Sequence, residues 1–243
     1  MKFIYLKYLW NYLRREIQFE YVKDNPSQMI KALQAKGVDI AADVSIADPR
    51  SLKIDLTRPS LIRIGHKVRL NVNLEILTHD FATIVMREMF HDFIPSSGKV
   101  TIGNNVYIGR NVTLLKGTHI GDNCIIGFGS IVTGVIPSNS VAIGAPAKVI
   151  CTIEEFYEKR KKKCVEEAFE YARSIQERFH CLPVPADFWE EFPLFVSGHE
   201  IEQYPEIPIR KQLGVAYDDW SKNHKAIYSD FHQFLQAAGV RID

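Results

Sequence analysis

Eight histidines are the side chains here best suited to moving a proton near neutral pH, since a free imidazole titrates at about 6.5. His79 leads them. It stands in the run Ile76-Leu77-Thr78-His79-Asp80-Phe81, where the chain leaves a regular pattern, and an imidazole there is placed to take a hydroxyl proton as a general base. Asp80 or Glu75 could hold its second ring nitrogen, and a backbone carbonyl would serve equally well. His91-Asp92 repeats the pair inside the same excursion and could shape an acceptor pocket. His66 and His119 fall at positions expected to face outward. Cys124 occupies an inward one, so His119 and Cys124 are poorly placed to share a tetrahedral metal.

Positioning such residues requires a scaffold, and the sequence repeats itself. Ile102, Ile108, Leu114, Ile120, Ile126 and Val132 recur every six residues. Upstream, Ile40, Ile46, Leu52, Ile64, Leu70 and Ile76 keep one frame, with Arg58 the only miss. Glycine fills the second place of the hexad at 65, 103, 109, 121 and 127. The fifth place holds Val44, Val68, Val106, Val112, Thr118, Cys124 and Ser130. Neither a 3.6-residue helix nor an alternating strand produces a strict period of six. A parallel β-solenoid does, because each coil stacks an inward aliphatic row on the last, with a compact residue inside each corner and Gly or Asn where φ turns positive. The frame slips between Ile76 and Ile102, which marks residues 81–99 as an excursion from the solenoid.

The stretch Val100 to Ile150, with IGDN, GFGSIVT, IPSNSVAIG and PAKVI in order, resembles the hexapeptide-repeat acyltransferases. DLTRPSLIRIG from Asp55 and ILTHDF from Ile76 resemble the sugar O-acetyltransferase branch, which serves capsule and lipopolysaccharide synthesis and includes maltose and galactoside acetyltransferases. The resemblance implies a mainly β fold, a left-handed parallel β-helix of about five coils, running near 40 to 57, 58 to 75, 76 onward, 102 to 119 and 120 to 137. It implies an acetyl-CoA-dependent transfer to a carbohydrate hydroxyl, with no metal, in a homotrimer whose CoA lies in the groove between subunits. By motif, His79 is the catalytic base. Backbone amides at Arg110 and Phe128 meet the pantetheine arm, Thr133 and Lys148 face the nucleotide phosphates, and Tyr107 covers the acyl end in place of a common tryptophan. Asp55, Thr57, Arg58 and Asp80 are the expected acceptor contacts, although Arg58 could equally pair with Asp55 to seal the first coil. Gly134 departs from the family's usual lysine. Two rival readings share the solenoid: a γ-carbonic-anhydrase-like zinc enzyme, and a binding scaffold that has lost catalysis.

The remaining features bound the reading. Lys and Arg number 30 against 29 Asp and Glu, so no global field draws the 243-residue chain to nucleic acid. Cys124, Cys151, Cys164 and Cys181 form no CxxC pair, and a reduced cytoplasmic setting is expected. Residues 1–37 are expected to be helical, 38–151 to form the solenoid and 152–243 a helical extension, opened by a capping box at Thr152 and Glu155. The first aromatic run is interrupted by Lys2, Lys7, Arg14 and Arg15, which argues against a bilayer span; it either packs on the protein or rests on a membrane surface.

Overall fold

The computed structural model describes residues 25–241. The two readings of the N-terminal aromatic run fall outside these residues. Two compact units divide the chain, one ending at Phe156 and the other beginning at Tyr157.

The first unit opens with the helix Pro26–Ala35, which Asn25 caps by accepting from the amides of Ser27 and Gln28. Its Met29, Ile30 and Leu33 pack into the same core as Ile40, Ile62 and Ile64. From there the chain winds through three parallel sheets. The first holds Asp39–Ile40, Ile62–Ile64, Val100–Ile102, His119–Ile120 and Val135–Ile136. The second holds Ser45–Ile46, Arg69–Leu70, Tyr107–Ile108, Ile125–Ile126 and Ser140–Gly144, with Ala147–Thr152 added antiparallel at its edge. Lys53–Ile54, Glu75–Ile76, Thr113–Leu114 and Ile131–Val132 make the third. In register, Ile64, Ile102, Ile120 and Ile136 form one inward column, Leu70, Ile108 and Ile126 a second, and Ile76, Leu114 and Val132 the third. All are buried, as is the compact corner row Val44, Val68, Val106, Val112 and Cys124. This continuous burial of one apolar residue per side and coil is what the six-residue period encodes.

Two sequence expectations need correction. Ile54, rather than Arg58, lies beneath Ile76, because the 3-10 turn at Pro59–Leu61 lengthens the spacing to 22, and the earlier turn at Pro49–Ser51 moves the inward residue from Leu52 to Ile54. Arg58 therefore does not interrupt an inward row; it is the residue before the second of these turns. The hexad glycines also act differently from the expectation. Left-handed φ falls instead at Lys67, at Gly117 and Gly129 outside the hexad's second place, and mainly at the asparagines Asn73, Asn105, Asn111, Asn123 and Asn139, whose amides form ladders such as Asn105 Nδ2 to Asn123 Oδ1 at 2.9 Å. Gly103 instead lacks room: a Cβ there would stand 2.5 Å from Asp122 Oδ1 and 2.7 Å from the Gly121 carbonyl carbon. Gly103→Ala should consequently lower stability by about 1 to 3 kcal/mol, the usual penalty for overpacking. A urea midpoint equal to wild type would contradict this account.

Between Ile76 and Ile102 the excursion forms a two-stranded antiparallel stem, His79–Asp80 against Ser96–Ser97, with the helix Thr83–Phe90 beyond it. Left-handed His91 ends that helix. At the far end of the unit the capping box closes, with Glu155 N–H donating to Thr152 Oγ1 at 3.1 Å and Thr152 N–H to Glu155 Oε2 at 2.9 Å, and starts the helix Ile153–Phe179.

The second unit has its own core. Ala168, Ala172 and Ile175 pack with Phe188, Phe192, Phe195 and Phe234, and the rings of Phe188 and Phe234 meet edge to face at 5.3 Å. The aromatic cluster DFWEEFPLF thus finds its partners inside this unit. Lys159, Lys161, Lys162 and Lys163 are exposed. No helix of the described residues is long and apolar enough to cross a membrane.

Candidate active site

The corner where the third sheet hands over to the first carries a buried carboxylate, Asp55, where the corner at Val44, Val68 and Val106 is aliphatic. Asp55 directly follows Ile54, and Thr78 and His79 follow Ile76 and Leu77 on the neighbouring strand. Stacking the two strands in register brings these residues together. His79 Nδ1 lies 2.5 Å from Asp55 Oδ2. The same oxygen accepts from Thr78 Oγ1 and, at 3.2 Å, from the Thr78 amide. Oδ1 accepts from Thr57 Oγ1 at 2.6 Å and from its amide at 3.0 Å. The Asp55 side chain is only 4% exposed, whereas that of His79 is 29% exposed.

The electrostatics follow from the donor count. Burial by itself pushes the Asp55 carboxyl upward, but hydrogen bonds from Thr57, Thr78 and His79 outweigh it and hold the group well below the usual carboxylate range. An ionised carboxylate can only accept. His79 must therefore carry its proton on Nδ1, which leaves Nε2 with a free lone pair when the ring is neutral. The corner presents one oriented base.

This differs from the sequence expectation for Asp55, which is buried and occupied rather than open to an acceptor. Asp80 does not orient His79 either: its carboxylate is taken by Lys116 and by the Ala82 amide at 3.1 Å. Glu75 sits on the third sheet between Lys53 and Thr113. Thr57 is exposed and bound to Asp55, and Arg58 donates to Thr57 Oγ1 at 3.4 Å. Among the described residues no ion pair joins Arg58 to Asp55. Sequence reasoning missed the pairing of Asp55 with His79. The recurrence of threonine beside both, Asp-Leu-Thr at 55–57 and Thr-His at 78–79, was the available signal.

The residues carried over for CoA lie elsewhere on the surface. Tyr107 points outward from the second sheet. Arg110 and Phe128 occupy the corner between the second and third sheets, are both exposed, and their amides make no backbone hydrogen bond among the described residues. Thr133 and Gly134 follow the last strand of the third sheet, and Lys148 is exposed on Ala147–Thr152. Within one chain, the breadth of the third sheet separates His79 from Arg110 and Phe128.

For the zinc reading, Cys124 is turned inward toward the carbonyls of Asp122 and Pro137, and burial pushes its thiol up. His119 is outside, bonded to Thr101. Among the described residues, no three His, Cys, Asp or Glu side chains gather as metal ligands.

Residues 99–134 match the family described as bacterial transferase hexapeptide, six repeats. The galactoside O-acetyltransferase of Escherichia coli K12 is 43% identical over 96 residues, which are 39% of this chain and 45% of that protein. Among solved structures, a maltose O-acetyltransferase from Clostridium difficile 630 is 25% identical, covering 57% of this chain and 84% of that one at a TM-score of 0.45. A galactoside acetyltransferase in complex with coenzyme A is 28% identical, covering 58% and 80% at a TM-score of 0.40. The alignments span 58% or less of the curated relatives' own lengths.

Proposed function

We propose that this chain is an acetyl-CoA-dependent O-acetyltransferase of the left-handed β-helix type, acting on a sugar hydroxyl with His79 as general base. The observation that carries the reading is the Asp55–His79 pair, 2.5 Å apart at a partly open corner. Asp55 holds the Nδ1 proton, so Nε2 takes the acceptor's hydroxyl proton as its oxygen attacks the thioester carbonyl. Charge then builds on the carbonyl oxygen, where a backbone N–H stabilises it. When the tetrahedral intermediate collapses, the C–S bond breaks and the imidazolium returns its proton to the leaving thiolate. The reaction yields acetylated acceptor and free CoA, and the base is restored.

The unpaired amides of Arg110 and Phe128 are suited to the oxyanion and the pantetheine arm. Lys148 and Thr133, both exposed, are suited to the nucleotide end, and Tyr107 to the acyl group. Because these groups and His79 stand on different corners, the reading requires a second copy to supply them, and a homotrimer closes such a head-to-tail contact. The exposed side chains Phe128, Ile131 and Val135 are apolar area for that contact. Free thiols and acetyl-CoA both belong to the cytoplasm, where we place the reaction.

The test combines assembly with turnover. Sedimentation equilibrium at micromolar concentration should give a trimer, and acetyl-CoA consumption should rise with at least one member of a panel of oligosaccharides, nucleotide sugars and amino sugars. A monomer, or a trimer with no thioester turnover on any of them, contradicts the reading.

A further inference from the structure

The excursion that begins at His79 has little holding it apart from its base. Its helix buries only Thr83, while Phe81, Ile84, Val85, Met89, Phe90 and Phe93 are exposed. Its stem is a pairing of two residues with two, and a lone two-stranded hairpin is marginal in water. Something else must keep His79 against Asp55.

Lys116 is in position to do so. It follows Thr113–Leu114, the strand stacked on Glu75–Ile76, and so occupies the same corner as His79 one coil further on. Its ammonium contacts Asp80 on the outgoing strand and Ser96 on the returning strand. Asp80 and Ser96 are themselves partners across the stem. Two backbone bonds flank this point: Gly98 N–H to the Thr78 carbonyl at 2.8 Å, and Gly117 N–H to the Lys99 carbonyl at 2.9 Å. The Lys116 side chain is about a third exposed, at 34%, so part of the contact is shielded from solvent. Its hydrogen bond is the leading cause that holds the Asp80 carboxyl below the ordinary range, ahead of the Ala82 amide.

We propose that Lys116 is the positioning residue of His79, fastening both strands of the excursion's stem to the next coil so that the imidazole stays aligned on Asp55. This rests on the reading of His79 as the base. Asp55 sets the ring's rotation and tautomer, and Lys116 sets where the backbone that carries the ring can go. Methionine at 116 keeps the side chain's length but removes all the donors, leaving Asp80 and Ser96 paired with each other but without their tie to the next coil. Arginine restores charge and donors.

The experiment compares Lys116→Met and Lys116→Arg with wild type in the full chain. Amide exchange of peptides covering 78–98 should quicken about tenfold or more in Lys116→Met as the stem opens locally, with peptides from 100–142 unchanged. The low-field proton resonance of His79 Nδ1–H bonded to Asp55 should broaden or vanish, and Lys116→Arg should recover it. In acetyl transfer, kcat should fall by about tenfold to a hundredfold through misplacement of the base, while KM for acetyl-CoA stays within about twofold. Unchanged exchange and an unchanged Nδ1–H signal in Lys116→Met would overturn the proposal, as would a loss that Lys116→Arg does not restore. Exchange and resonance are read without an acceptor. A wild type that transfers no acetyl group would therefore sink the proposed function while these two readouts still decide the role of Lys116.

Discussion

Replacing His79 with alanine is expected to slow acetyl transfer by about a hundredfold to ten-thousandfold, the usual loss of a positioned general base and equivalent to about 2.7 to 5.5 kcal/mol of barrier. The protein should otherwise be intact. Ile76, Ile102, Leu114 and the rest of the inward columns carry the solenoid, and His79 is not one of them. Asp55 keeps its bonds from Thr57 and Thr78 when the ring is gone, so the corner is not left with a bare buried charge. Affinity for CoA should change little, because Arg110, Phe128 and Lys148 stand apart from this corner. If a folded, trimeric His79→Ala protein keeps more than about a tenth of wild-type transfer, the base lies elsewhere. His91, exposed at the end of the excursion helix, would then be the residue to replace.

How much of this was readable in advance depends on how regular the chain is. The columns through Ile102, Ile108 and Leu114 were legible because an inward residue in a stacked coil must be apolar and recurs at fixed spacing. The spacing of 18 that joins Asn104 to Asp122 is the same rule seen at a corner. Around Asp55 the rule fails. A uniform coil would place residue 61 beneath His79, since 79 minus 18 is 61, yet Asp55 is its partner at a separation of 24. The turn at Pro59–Leu61 carries the strand spacing from 18 to 22, as Ile54 pairs with Ile76, and His79 reaches back two further places to Asp55; no periodicity reports the length of an irregular turn. The hexad glycines were legible as special positions but not in their cause, because a shortage of space at Gly103 leaves the same mark in a sequence as a positive φ. In the second unit, Phe188 and Phe195 meet Phe234 across long separations with no repeat to announce it. Aromatic density marked the presence of a core and nothing about its pairings.

The second large effect is expected at Asp55. In Asp55→Asn one of the two oxygens becomes an NH2 group, which cannot accept from Thr57, Thr78 or His79. If the amide turns its nitrogen toward the ring, Nδ1 must become the acceptor, the ring proton moves to Nε2, and the atom that should take the hydroxyl proton is already protonated. Turned the other way, the NH2 faces the two donors of Thr57. Loss of the working tautomer should lower kcat by about a hundredfold or more, with CoA affinity unchanged. Stability should drop by about 1 to 3 kcal/mol at neutral pH, because a buried group has lost charged hydrogen bonds. The pH dependence has a definite sign. The folded-state carboxyl lies below its ordinary value of about 3.9, so its contribution is complete above that value and disappears as pH falls through the lower, folded-state value. Asparagine has no such contribution at any pH. Plots of unfolding free energy against pH should accordingly run apart near pH 7 and converge in strong acid. Parallel plots, or an asparagine variant within a few fold of wild-type turnover, would mean that Asp55 neither holds the His79 proton nor anchors the corner as an anion.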